Sequence, residues 1–108
     1  MTYHVIVTLR AKVDLRHYYS VAAEHAPETA TRWLERFEAS LMSLSTFPAR
    51  CSLAAENDLV EPTIRQFLFG RRLGRYRVLF TIVGDQVVVL HIRRGSMDKA
   101  TREDLEDA

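Results

Sequence analysis

The sequence predicts an α+β domain in two layers, with elements in the order β-α-α-β-β-β, and three observations carry that expectation. The N-terminal half holds two consecutive stretches with helical apolar periodicity. The C-terminal half holds two β-rich runs, Tyr76 to Val83 and Gln86 to Arg93, separated only by Gly84 and Asp85. The chain has 108 residues, 47% of them hydrophobic, which is enough for one core and no more. Helices joined to a sheet built mainly from local hairpins pack together on one sheet face. The expected architecture is therefore a twisted, antiparallel-rich sheet with a two-helix hairpin on one face.

Each element follows from its residues. Tyr3 to Leu9 includes Val5, Ile6, Val7 and Thr8, a β-branched run that favours a strand. From Ala11 the period changes, and Ala11, Leu15, Tyr18 or Tyr19, Ala22 and Ala26 fall on one helical stripe. Pro27 suits the first turn of a second helix, with Glu28 placed where the helix dipole favours an acid. The stripe Ala30, Trp33, Leu34, Phe37, Leu41, Leu44 and Phe47 continues that helix to a stop at Pro48. Residues 48–62 show no sustained period and read as a long loop with room for one helical turn. Ile64 to Phe69 is a short strand, followed by an Arg71-Arg72 turn bracketed by Gly70 and Gly74. One domain over residues 1–98 and a polar tail over residues 99–108 are expected.

Charge is unevenly spread. Overall the chain carries +1, yet between Arg65 and Gly95 seven arginines face the single acid Asp85. The flanks are acidic, with five acids against two bases in residues 96–108. A cationic segment of this kind attracts an anionic partner. Thirteen of the fifteen bases are arginine, whose planar fork suits carboxylate and phosphate, although genomic composition produces the same bias. Cys51 is the only cysteine, and His4, His17 and His25 lack ligand spacing, so no metal and no cofactor are expected. Ser40, Ser43 and Ser45 have no nucleophile context. No apolar run is long enough to span a membrane and no leader pattern opens the chain, which points to the cytoplasm.

A two-residue turn at Gly84-Asp85 sets Val83 opposite Gln86 and fixes which side chains share a face. One face then holds Arg75, Arg77, Leu79 and Thr81 beside Val88, Leu90, Ile92 and Arg94. The other holds Tyr76, Val78, Phe80 and Ile82 beside Val87, Val89, His91 and Arg93. The second is richer in large apolar groups and is expected to lie under the helices. Arg75, Arg77 and Arg94 would then share the open face, with His91 and Arg93 turned away. Two plainer readings stand beside this: Arg77 as a structural bridge to a carboxylate, and His91 as a packed strand histidine.

The helical hairpin ending in Ser43-Leu44-Ser45-Thr46-Phe47-Pro48, the strand Gly74-Arg75-Tyr76-Arg77-Val78-Leu79-Phe80 and the run from Val87 to Asp98 together resemble the RelE/ParE superfamily of toxins. The resemblance implies a compact toxin of a type II toxin-antitoxin module, held inactive in a hetero-oligomer by a cognate antitoxin of ribbon-helix-helix, ParD-like type. It also implies one of two activities. The RelE branch cuts messenger RNA on the ribosome, and the ParE branch poisons DNA gyrase. Arg77 stands where the RelE branch has a strand arginine, and would be the catalytic group if that branch applied. The lysine pair expected on the preceding strand is replaced by Gln66 and Leu68, and no tyrosine or histidine follows His91. The ending Arg93-Arg94-Gly95-Ser96-Met97-Asp98 is similar to that of ParE-like members, which favours gyrase inhibition. Arg75, Arg77, Arg94 and Arg65 are then the candidates for target binding, with any nucleic-acid contact indirect. Leu15, Tyr18 and Tyr19 are the candidates for antitoxin docking, where a groove beside two helices accepts a partner helix. The alternatives are an RNA-cleaving toxin and a binding module without chemistry.

Overall fold

The computed structural model describes residues 2–71, 74–95 and 99–106. Its elements are β1 (His4–Val7), α1 (Leu9–His25), α2 (Pro27–Met42), β2 (Arg65–Phe69), β3 (Tyr76–Val83), β4 (Gln86–Arg94) and α3 (Arg102–Glu106). The sheet order is β1-β4-β3-β2, with β1 parallel to β4 and the other pairs antiparallel. This is the expected α+β order with one short helix added at the end.

Local chemistry sets the helix boundaries. Thr8, extended at ψ 164°, accepts a 3.3 Å hydrogen bond from the Ala11 amide and so caps α1. Ala26 breaks the run, and Pro27 opens α2 where its missing N–H costs nothing. The second helix ends earlier than its stripe suggests. Leu44 stays buried in a single 3-10 turn, Ser43–Ser45, whereas Phe47 takes φ 45° and is 66% exposed. The ring of Pro48 bars Phe47 from right-handed helical geometry, so the stripe breaks one residue before the proline.

The main core lies between the helices and one sheet face, where Phe37 meets Phe69 at 4.4 Å and Tyr76 at 5.8 Å. Val78, Phe80, Val87, Val89 and Ile92 are fully buried there. The opposite face is only partly open. Ala54, Ile64, Leu79, Ala100 and Leu105 form a second apolar cluster over it, with α3 as its outer wall. The segment over residues 99–106 is polar in composition, but Ala100 and Leu105 point inward and dock it.

The hairpin register departs from the expected one. Val83 pairs with Gln86 through Phe80 with Val89, as a two-residue turn requires, and Gly84 takes φ 59° at that turn. Beyond it Leu79 pairs with His91, so Leu90 is an extra residue, a β-bulge. The slip reverses the faces of the strand's end. Ile92 and Arg94 turn to the helix side, while His91 and Arg93 join Arg77 and Leu79 on the other. The expectation that Arg94 shares the open face with Arg77, and that His91 and Arg93 turn to the helices, is therefore corrected. An extra residue inverts every later side chain because strand alternation has a period of two. Arg72 and the Ser96-Met97-Asp98 part of the toxin-like ending lie outside the described residues.

Candidate target surface and its supporting charge network

Past Val89 the strand β4 has no strand on its β1 side, because β1 ends at Val7. Helix α1 takes over that edge with side chains. Thr8 Oγ1 donates to the Val89 carbonyl at 2.8 Å, Asp14 accepts from the Ile92 amide at 3.0 Å, and the Tyr18 hydroxyl accepts from the Arg94 amide at 3.3 Å. One helical turn between Asp14 and Tyr18 advances about 6 Å, close to the advance of two strand residues between Ile92 and Arg94. The edge is thus closed to pairing with another strand.

Asp14 also belongs to a ring of four charged side chains and a histidine. Arg10 Nε donates to Asp14 at 3.1 Å, and its Nη2 to Asp104 at 2.9 Å. Asp104 lies 3.4 Å from Arg93 Nη1, which lies 3.2 Å from His91 Nε2. His91 Nδ1 closes the ring 2.6 Å from Asp14 Oδ2, a short contact without hydrogen-bond alignment. The ring ties α1, β4 and α3 together around the bulge. Burial works to raise both carboxyls, yet the polar and charged contacts they receive outweigh it. Asp14 is held below its ordinary value by His91, the Ile92 amide and Arg10, and Asp104 falls to about 2 through the Thr101 amide and Arg10. A depressed carboxyl stabilises the fold fully above its ordinary value and loses that contribution as pH falls through the depressed one. For Asp104 the window runs from 3.8 down to about 2. Thermal melts across that window are expected to lose up to about 2 kcal/mol more stability in the native chain than in Asp104→Asn.

Arg77 is engaged more deeply still. Its guanidinium forks onto Glu56, with Nη1 2.9 Å from Oε2 and Nη2 2.5 Å from Oε1, while Nε donates to Gln66 at 3.0 Å. Glu56 is fully buried, and its Oε2 also accepts the Ala100 amide at 2.9 Å. Burial pushes that carboxyl up, but Arg77 and the Ala100 amide together hold it below its ordinary value. Arg65 braces the loop through the Cys51 carbonyl at 2.7 Å.

The remaining target candidates are exposed. Arg75 and Arg94 lie at the open end of the hairpin, where the Gly95 amide donates to the Arg75 carbonyl at 2.8 Å. Arg94 lies over the Tyr76 ring, its Cζ 5.5 Å from the centroid. Arg71, also exposed, flanks them through its carbonyl's bond to Gly74. On the far side of the helical hairpin, Leu15 and Tyr19 line a groove of about 550 Å³ with Lys12, Arg16, Leu34 and Glu38. Tyr18 points away from it, packing edge-on against Tyr76 at 5.0 Å. Among the described residues no group of three His, Cys, Asp or Glu side chains is placed to hold a metal.

Sequence reasoning located Arg65, Arg75, Arg77 and Arg94 but missed Arg10, Asp14, Glu56 and Asp104. Glu56 and Asp104 lie in aperiodic, polar stretches that carry no signal of burial. Asp14 had a faint one: it lies three residues from Ala11 and four from Tyr18, adjoining the apolar stripe of α1.

A helical hairpin on a four-stranded sheet, an arginine-rich hairpin end and a groove between the two helices belong to a small protein toxin of the RelE/ParE class. Residues 5–99 match the family of ParE toxins of type II toxin-antitoxin systems (parDE), and the chain belongs to that family. Two solved structures share its fold. The chromosomal ParDE toxin-antitoxin system from P. aeruginosa superposes with a TM-score of 0.70 at 18% identity, covering 86% of this chain and 96% of the other. The toxin-antitoxin complex RelBE2 from Mycobacterium tuberculosis gives 0.52 at 24% identity, covering 87% and 99%. No curated protein matches the chain.

Proposed function

We propose that this type II toxin acts in the cytoplasm as a ParE-like inhibitor of DNA gyrase, and that a cognate ParD-like antitoxin of ribbon-helix-helix type neutralises it. The observation that carries the choice of branch is the state of Arg77. Its charge is balanced by buried Glu56 and three of its five N–H donors go to Glu56 and Gln66, so it is committed to the fold rather than presented to a scissile phosphate. His91 is 3% exposed and held between Asp14 and Arg93, out of reach of a substrate proton. What stays exposed is Arg75 and Arg94, a surface suited to recognition by charge. The groove at Leu15 and Tyr19 is the proposed seat of the antitoxin's amphipathic segment, with Lys12 and Arg16 facing its acids.

The test is to assay the purified toxin, freed of antitoxin, for gyrase-dependent DNA cleavage and for ribosome-dependent cutting of messenger RNA. Trapped gyrase cleavage complexes with intact message are expected. Cut message with unaffected gyrase would reverse the assignment.

A further inference from the structure

Asp104 sits in a seat made by other elements of the fold. Arg10 from α1 and Arg93 from β4 converge on its two carboxylate oxygens, and His91 lies behind Arg93. Two guanidinium groups converging on one oxyanion is how phosphate is held in general. Here the occupant is supplied by the chain itself. The segment that carries it is short, a five-residue helix anchored by the side chains of Ala100 and Leu105 and by the Ala100 amide's bond to Glu56. Its acids oppose a stretch of β-structure in which arginines outnumber acids seven to one.

We propose that residues 99–106 are a displaceable cover, and that the Arg10–Arg93 seat beneath them takes a phosphate group, Asp104 serving as its internal stand-in. This goes beyond the reading of the target and does not depend on it. A tethered carboxylate competes at an effective concentration on the millimolar scale, so the native chain binds free phosphate only weakly. Asp104→Asn keeps the size of the side chain and one oxygen to accept the Thr101 amide but removes its charge. It leaves two arginines with Asp14, on Arg10 Nε, as the one carboxylate of the ring, and an external anion then has the advantage.

Isothermal titration with inorganic phosphate, and separately with a short single-stranded DNA, tests this on the full chain. Asp104→Asn is expected to bind at least about tenfold more tightly than the native protein. Adding Arg10→Gln to that variant is expected to abolish the gain. Gain with phosphate alone identifies a free anion as the ligand, and gain with the strand identifies a phosphodiester; unchanged affinity for both, with the circular dichroism spectrum intact, would overturn the proposal. A second measurement guards against misfolding of the variant. In the native chain, millimolar phosphate is expected to speed hydrogen exchange at the Ala100 and Thr101 amides while leaving the β3–β4 hairpin protected. Displacement of the segment by an acidic peptide but not by phosphate would also overturn it.

Discussion

Replacing Glu56 by alanine is expected to destabilise the protein by about 3–5 kcal/mol, the cost of leaving a buried charge without its partner. The Arg77 side chain is only 13% exposed and gives both ends of its fork to this carboxylate, so no water shell stands ready to replace it. The Ala100 amide loses its acceptor in the same step, and the C-terminal segment loosens with it. Urea denaturation of the native chain, Glu56→Ala and the double variant Glu56→Leu with Arg77→Met checks the argument. The double variant should recover the part of the loss that comes from the unpaired charge, since apolar groups of similar volume replace a buried pair at little cost, while the Ala100 amide still lacks its acceptor. The folded Glu56 carboxyl titrates below its ordinary value, so its contribution is complete above the usual glutamate range and falls away on acidification. Recovery in the double variant should therefore come with a flatter stability profile at acid pH.

Reversing the two exposed arginines, Arg75→Glu with Arg94→Glu, is expected to lower affinity for the target by about two orders of magnitude while the fold and antitoxin binding persist. Like charges set against a complementary surface cost several kcal/mol, and each 1.4 kcal/mol is about tenfold. Neither side chain carries the core, because both are exposed and Arg94 contributes only its contact with the Tyr76 ring. Growth inhibition, gyrase cleavage and antitoxin capture, measured on the same preparation, separate this from unfolding. Toxicity that survives the double reversal would move the target surface elsewhere. Arg77→Ala makes a useful contrast, since it should lower stability first and toxicity only as a consequence.

Much of the fold was legible because the signals were local. The stripe through Trp33, Phe37 and Leu41 specifies a helix from side-chain spacing alone, and the Gly84-Asp85 turn specifies the start of a hairpin. The stopping point of α2 was less legible, since Phe47 continues the stripe while Pro48 denies it helical backbone. The bulge at Leu90 was not legible at all. Nothing about that residue marks it as extra, and its placement follows from Ile92 fitting the core while Asp14 seats the Ile92 amide.

The arginines show the same division. By itself the sequence determined that the β3–β4 region is strongly cationic, because charge is a property of composition and needs no folding to exist. Only the tertiary structure decided which of those charges are spent. Arg77 meets Glu56 across 21 residues of chain, and Arg10 meets Asp104 across 94. Contacts so distant depend on how α1, the 48–62 loop and α3 pack on the sheet, which no local pattern encodes. Arg75 and Arg94 are left facing solvent because no acid from another element reaches them among the described residues.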